Sequence, residues 1–142
     1  MENQHLSMSV DASIHAPVSR VWKAATDKDE IKQYFFGTDV TTTWEPGSPI
    51  TFSGEYEGKR YEEKGVILQV EKEKMLSYSY LASGWEDKPD NYNTIVYELE
   101  DEGNGYTNLK VTQSNIRDQQ TADHCVDNWK MVLEGLKKVA EA

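Results

Sequence analysis

The sequence holds one cysteine, Cys125, four prolines and three histidines, and it has no long apolar run. A single thiol excludes an intrachain disulfide and agrees with a reducing compartment. No stretch approaches the roughly 20 apolar residues that a helix needs to span a bilayer. Residues 1–7 are polar and lack the apolar region of a secretory signal, which points to the cytoplasm. Positive charge is also scarce. The chain carries 15 Lys and Arg against 25 Asp and Glu, a net charge of −10. Phosphate-rich partners need clustered cations, so nucleic acid and anionic membrane surfaces are disfavoured, and the acidity reads as solubility.

The scarcity of His and Cys also limits chemistry. His5 lies near the chain start and His15 at a strand-to-helix junction. His124 and Cys125 are helix neighbours, so they point about 100° apart and cannot act on one another directly. No nucleophilic triad can be assembled, no Cys-x-x-Cys exists, and no two His lie one helical turn apart. The sequence therefore gives no catalytic constellation, no metal site and no cofactor motif. Gly103-Asn104-Gly105 is a hairpin signal and not a phosphate loop, because no helix follows it.

What is present argues for a folded domain. Hydrophobic content is 37%, with four Trp and eight Tyr, and 142 residues suffice for a real core. We expect one domain over 1–142, with 1–6 as a flexible tail. Residues 121–142 organise the rest. Ala122, Cys125, Val126, Trp129, Val132, Leu133, Leu136, Val139 and Ala140 form one stripe of a 3.6-residue helix, with charges mostly on the other side. Such a helix needs a partner for its apolar face. Within it, Gly135 leaves room either for a ligand or for close packing.

The partner is predicted from the remaining periodicity. Residues 7–14 alternate as a half-buried strand. Pro17 opens a short helix ending near Thr26, and Asp27 caps a second, with Glu30 reaching back as in a capping box and Gly37 ending it. From Asp39 the period becomes two. Strands are predicted at 40–44, 50–56, 59–71, 75–81, 93–101 and 107–113, with a loop at 83–92 and a connection at 114–120. In the long strand 59–71, Val66, Leu68 and Val70 are assigned to one face. Asp118 or Thr121 caps the last helix. The order is β, α, α, antiparallel strands, then a long α, an α+β domain with helices packed on one face of a meander.

Several segments carry a resemblance. Ile14-His15-Ala16-Pro17 runs into Val21-Trp22-Lys23-Ala24-Ala25-Thr26-Asp27 and then Ile31-Lys32-Gln33-Tyr34-Phe35. Gly65-Val66-Ile67-Leu68-Gln69-Val70, Leu76-Ser77-Tyr78, Thr94-Ile95-Val96-Tyr97-Glu98-Leu99, Gly105-Tyr106-Thr107-Asn108-Leu109-Lys110-Val111 and residues 129–136 follow. In this order and spacing they resemble the family named after the activator of the ninety-kilodalton heat-shock ATPase, within the START-like (SRPBCC) superfamily. The resemblance spans about 9–139. It implies a helix-grip fold, with a curved antiparallel sheet wrapped around the long C-terminal helix and two short helices after the first strand. It also implies a cavity between helix and sheet, used across the superfamily for lipids, hormones and polyketides. Two positions depart from the family pattern. Asn128 precedes Trp129 where Gly is frequent, and Gln113 stands where many members carry His, which removes one candidate pocket base. The eponymous co-chaperone has a further domain for which this chain has no room.

The candidate ligand-binding residues are chiefly aromatic: Phe36, Trp44, Phe52, Tyr78, Tyr80, Trp85, Tyr97 and Trp129, with Leu133 of the helix stripe. Buried Tyr and Trp keep polar tips that need partners, and ligand pockets are largely apolar with a few such groups. The same rings also suit an ordinary core, and Trp85 suits either a lid or a surface patch. Glu62 and Lys64 share parity with Val66, Leu68 and Val70, so they are candidates to anchor a ligand head group unless the strand bulges or is exposed there. Three functions compete. The first is binding of a small hydrophobic or amphipathic molecule. The second is a cyclase- or hydrolase-type enzyme using pocket Tyr and Glu. The third is an interaction module for a chaperone or other protein.

Overall fold

The computed structural model describes residues 6–82 and 85–142. In β1 (Leu6–Ile14), Met8 and Ile14 are buried while Ser7, Ser9, Asp11 and Ser13 face outward. The tail expected over 1–6 lies outside the described residues except for Leu6, which begins β1. Two short helices follow, α1 (Val18–Thr26) and α2 (Lys28–Tyr34). Asp27 joins them and serves both. Its carboxylate accepts from the backbone N–H groups of Asp29 and Glu30, while its own N–H donates to the Lys23 carbonyl at 2.8 Å. That second bond is why the expected capping box does not close. With the Asp27 N–H already used, the Glu30 carboxylate turns to Arg20 at 2.6 Å.

Seven antiparallel strands form the sheet in the order β1-β7-β6-β5-β4-β3-β2. They are β2 (Asp39–Thr41), β3 (Pro49–Tyr56), β4 (Lys59–Glu71), β5 (Met75–Tyr80), β6 (Asn93–Gly103) and β7 (Tyr106–Ile116). The strand expected over 40–44 is shorter, and β7 runs three residues beyond Gln113 into the expected connection. A 3-10 turn, Pro89–Asn91, lies in the expected loop before β6. The sheet ends in α3 (Gln119–Glu141), capped by Asp118, whose carboxylate accepts from the Thr121 N–H at 2.8 Å.

β4 carries the bend of the sheet. Its first part pairs with β3, from Tyr56 opposite Lys59 to Pro49 opposite Val66, and its last part pairs with β5 from Ile67 onward. Between them the Val66 N–H donates to the Ser79 hydroxyl instead of a backbone carbonyl. A Cβ on Gly65 would lie 1.7 Å from the Ser79 carbonyl oxygen, so only glycine permits this approach. A register shift between Ile67 and Gln69 adds to the bend.

This geometry corrects the face assigned to β4. Gly65 and Ile67 are buried, whereas Val66 is 40% and Leu68 47% exposed. Residues 61, 63, 65 and 67 face inward, so Glu62 and Lys64 point out; the bulge lets Val70, of opposite parity, return toward the core. The other strands keep the expected faces: Leu76 and Tyr78 in β5, Ile95, Tyr97 and Leu99 in β6, Leu109 and Val111 in β7.

The structure is the helix-grip fold. α3 buries Ala122, Trp129, Val132, Leu133, Leu136 and Ala140 against the sheet and the two short helices. Gly135 exists for close packing, since a Cβ there would lie 2.6 Å from the Tyr34 Cβ. Arg20 ties the three helices together, bonding Glu30 and, at 2.8 Å, the Val139 carbonyl near the end of α3.

Candidate functional site

The grip does not close completely. A cavity of about 720 Å³ remains between α3 and the inner face of the sheet. Phe35, Tyr78, Ile95, Ile116, Trp129 and Val132 give it apolar walls, and Phe36, Lys59, Arg60, Trp85 and Arg117, all exposed, stand at its mouth.

Its floor, Phe35, Tyr78 and Trp129, is part of a closed circuit of five aromatic rings. Phe35 meets Phe52 (6.1 Å between centroids), Phe52 meets Tyr78 (5.6 Å), Tyr78 meets Tyr97 (6.2 Å), Tyr97 meets Trp129 (5.8 Å), and Trp129 returns to Phe35 (6.1 Å). All lie within the separations favoured by ring pairs. The circuit joins α2's C-terminal end, β3, β5, β6 and α3. On its far side Phe35, Phe52, Tyr78 and Tyr97 border a void of only about 10 Å³, so the rings separate a packed core from an open chamber. Each ring is held by two others, which prevents the floor from collapsing into the space above it.

A polar wall faces this floor. The Trp129 indole N–H donates to Gln113 Oε1 at 2.8 Å, Gln113 Nε2 donates to Asn93 Oδ1 at 2.9 Å, and Asn93 Nδ2 donates to the Asn115 carbonyl at 2.8 Å. Because indole can only donate, it fixes the direction of the whole chain. Asn115, at φ 64°, bonds the carbonyls of Asp90 and Tyr92 and so ties the 3-10 turn to β7. On the opposite side the Tyr80 hydroxyl donates to Glu63 at 2.6 Å, and the Tyr61 and Thr38 hydroxyls meet at 2.6 Å. No buried side-chain nitrogen or oxygen among the described residues lacks a partner.

Burial sets the acidities. It pushes the Tyr97 hydroxyl up to about 12, with the Tyr78 hydroxyl pulling slightly the other way. It raises Tyr78 and Tyr34 well above the ordinary tyrosine value, reinforced by Tyr97. Tyr80 is raised by burial first and by the Glu63 carboxylate second. Cys125, which lines the cavity, is raised by burial alone. Among the described residues no group of three His, Cys, Asp or Glu is arranged to hold a metal.

Of the residues expected to form the site, Phe36, Tyr78, Tyr80, Trp85 and Trp129 line the cavity. Phe52 and Tyr97 lie beneath it in the ring circuit, and Trp44 borders only the small void. Leu133 is buried in the core and lines neither space. Glu62 and Lys64 are misplaced by the parity of β4; Lys64 is exposed and paired with Asp87, which raises its pKa and lowers that of the aspartate. Sequence reasoning missed Phe35, Tyr61, Glu63 and Arg117 as lining residues, and it treated Gln113 only as the loss of a base. Signals existed: Tyr61 and Glu63 share parity with Gly65 and Ile67, and Gln113 shares parity with Leu109 and Val111.

A family model described as Activator of Hsp90 ATPase homolog 1-like protein matches residues 15–141. The chain belongs to this family. A solution structure from Cytophaga hutchinsonii is 39% identical, covers 97% of this chain and 94% of its own, and superposes with a TM-score of 0.82. CalU16 from Micromonospora echinospora is 24% identical over 94% of this chain and 75% of its own, with a TM-score of 0.73. The Aha1 dimer from Colwellia psychrerythraea is 20% identical over 96% of each chain, with a TM-score of 0.76. These last two likenesses speak for the fold alone. No curated protein matches the chain. Membership in the Activator of Hsp90 ATPase homolog 1-like family supports a ligand-binding or interaction module in general. No helix among the described residues is long and apolar enough to cross a membrane.

Proposed function

We propose that this domain binds one small hydrophobic or amphipathic molecule in the cavity between sheet and α3. The observation that carries the reading is the chamber itself, about 720 Å³, with a braced aromatic floor and an oriented polar wall. Ligand sites have volumes of roughly 300–1,000 Å³ and combine mostly apolar walls with a few placed polar groups. Packed interiors tolerate few voids of this size, and an apolar floor left in water forgoes roughly 25 cal/mol for each Å² that a ligand could cover.

A thermal-shift panel of lipids, aromatic amphiphiles and polyketides tests this. A ligand present at about 100 times its Kd stabilises the folded state by about 2.7 kcal/mol, a readily measured shift. Cys125→Trp, which places an indole in the cavity from α3, should abolish the shift while the variant stays folded. No shift for any compound with the natural chain would overturn the reading.

One observation favours a second reading, acid–base catalysis: the Tyr80 hydroxyl and Glu63 carboxylate meet inside the cavity. The same pairing tells against it. Tyr80 holds its proton far above the ordinary tyrosine range and is a poor acid or base near neutral pH. Binding is therefore ranked first. Interaction with a protein partner is ranked third, because the exposed large apolar residues are spread over β4 (Val66, Leu68), the start of β7 (Tyr106), α3 (Met131) and the cavity mouth (Phe36, Trp85).

A further inference from the structure

We infer that the ligand is an amphipathic acid whose apolar body rests on the aromatic floor and whose anionic group is held at the mouth by Arg117, assisted by Arg60 and Lys59. This inference rests on the binding reading above. Charge at the mouth runs against the rest of the molecule. The whole chain carries 15 basic and 25 acidic groups, yet the cavity lining holds three cations, Lys59, Arg60 and Arg117, against two carboxylates, Glu63 and Asp90. Of those two, Glu63 accepts from Tyr80. Lys59 and Arg60 form no ion pair with any described residue. A cationic rim on an acidic protein focuses the field at the mouth of the cavity.

Arg117 is already positioned. Its guanidinium lies over the Trp85 ring at 4.3 Å, and its Nη2 donates to Asn91 Oδ1 at 3.1 Å. The contact with the ring holds the group in place, and Asn91 takes one of its five N–H donors. The remaining donors suit the forked geometry of a carboxylate, sulfonate or phosphate. Asp118, the cap of α3, is an acidic neighbour that opposes this, as is Asp90 of the lining. The Asp118 carboxylate is occupied by the Thr121 N–H, and it is held below the usual carboxylate range chiefly by that bond, with a smaller contribution from Arg117.

The test compares 2-naphthoate with 2-naphthamide, which share a ring system and differ in charge. The full chain is titrated with each by calorimetry near neutral pH at low salt. We expect the naphthoate to bind about tenfold more tightly, a preference that shrinks as salt is added. Arg117→Gln should remove most of the preference while leaving the naphthamide Kd within about twofold, which also shows the cavity to be intact; Arg117→Lys should keep part of it. Equal affinities for the two compounds would overturn the inference and leave the binding reading standing. A preference unchanged in Arg117→Gln would overturn the assignment to this residue. Binding of neither compound, with no ligand found in the thermal-shift panel, would overturn both.

Discussion

At the scale of single residues, competing magnitudes decide what each position tolerates. Gly135 sits inside α3, where alanine would be favoured by about 0.8–1 kcal/mol on helix propensity. A Cβ there would lie 2.6 Å from the Tyr34 Cβ, however, and overpacking of this kind costs about 1–3 kcal/mol. The clash outweighs the propensity, so Gly135→Ala should lower stability by about 1 kcal/mol in urea unfolding; a stabilised variant would contradict the packing. Trp129→Phe keeps a ring in the circuit and removes the N–H that satisfies Gln113 Oε1. It should cost about 1–3 kcal/mol beyond any loss of area. If Gln113→Leu in that background restores stability, the cost is assigned to the orphaned amide. Residues of this kind were only partly legible. That Trp129 and Tyr97 belong together inside the grip follows from the helix stripe and the strand alternation. That both sit in one ring circuit does not, because Phe35 enters it from a helix end whose orientation no periodicity reports.

At the scale of elements, local patterns are legible in the sequence and the bend is not. The first strand, the two short helices, the β6–β7 hairpin and α3 all follow from alternation, caps and turn glycines that act within a few residues. β4 fails for a non-local reason. It changes partners at Gly65, and what makes that glycine obligatory is the Ser79 carbonyl, fourteen positions later, lying 1.7 Å from where a Cβ would be. An apolar run of Val66, Ile67 and Leu68 looks the same in either parity, and the parity of Val66 and Leu68 turns Glu62 and Lys64 inward in place of Tyr61 and Glu63. The corrected faces can be tested directly. Leu68→Lys should change stability by no more than about 0.5 kcal/mol, whereas Ile67→Ala should cost about 2–5 kcal/mol. Equal costs at the two positions would contradict the described register. Asp118→Ala should cost about 1 kcal/mol through loss of the α3 cap, read as a lower thermal midpoint.

For the whole molecule, the buried tyrosines predict a loss of stability in alkali. Tyr34, Tyr78, Tyr80 and Tyr97 all hold their protons more tightly in the fold than in the unfolded chain, where a tyrosine titrates near 10. Above that value the unfolded state releases protons that the folded state keeps, so stability falls as pH rises. For Tyr97 the window runs from about 10 to about 12. Each such group adds a slope of about 1.4 kcal/mol per pH unit. Tyr97→Phe should flatten the fall between these values, followed by chemical denaturation at several pH values; an unchanged slope would place the Tyr97 hydroxyl in contact with solvent.

A long helix and a bent sheet leave a chamber between them, floored by rings, and the proposed function places a small molecule there. The four tryptophans report on it with an internal control. Trp85 and Trp129 line the chamber, whereas Trp22 and Trp44 do not. In a nitrogen-15 NMR titration with 2-naphthoate, the indole N–H signals of Trp85 and Trp129 should move in a saturable manner while those of Trp22 and Trp44 stay in place. Movement confined to Trp22 or Trp44, or saturation with all four signals unmoved, would contradict the placement of the ligand between sheet and helix.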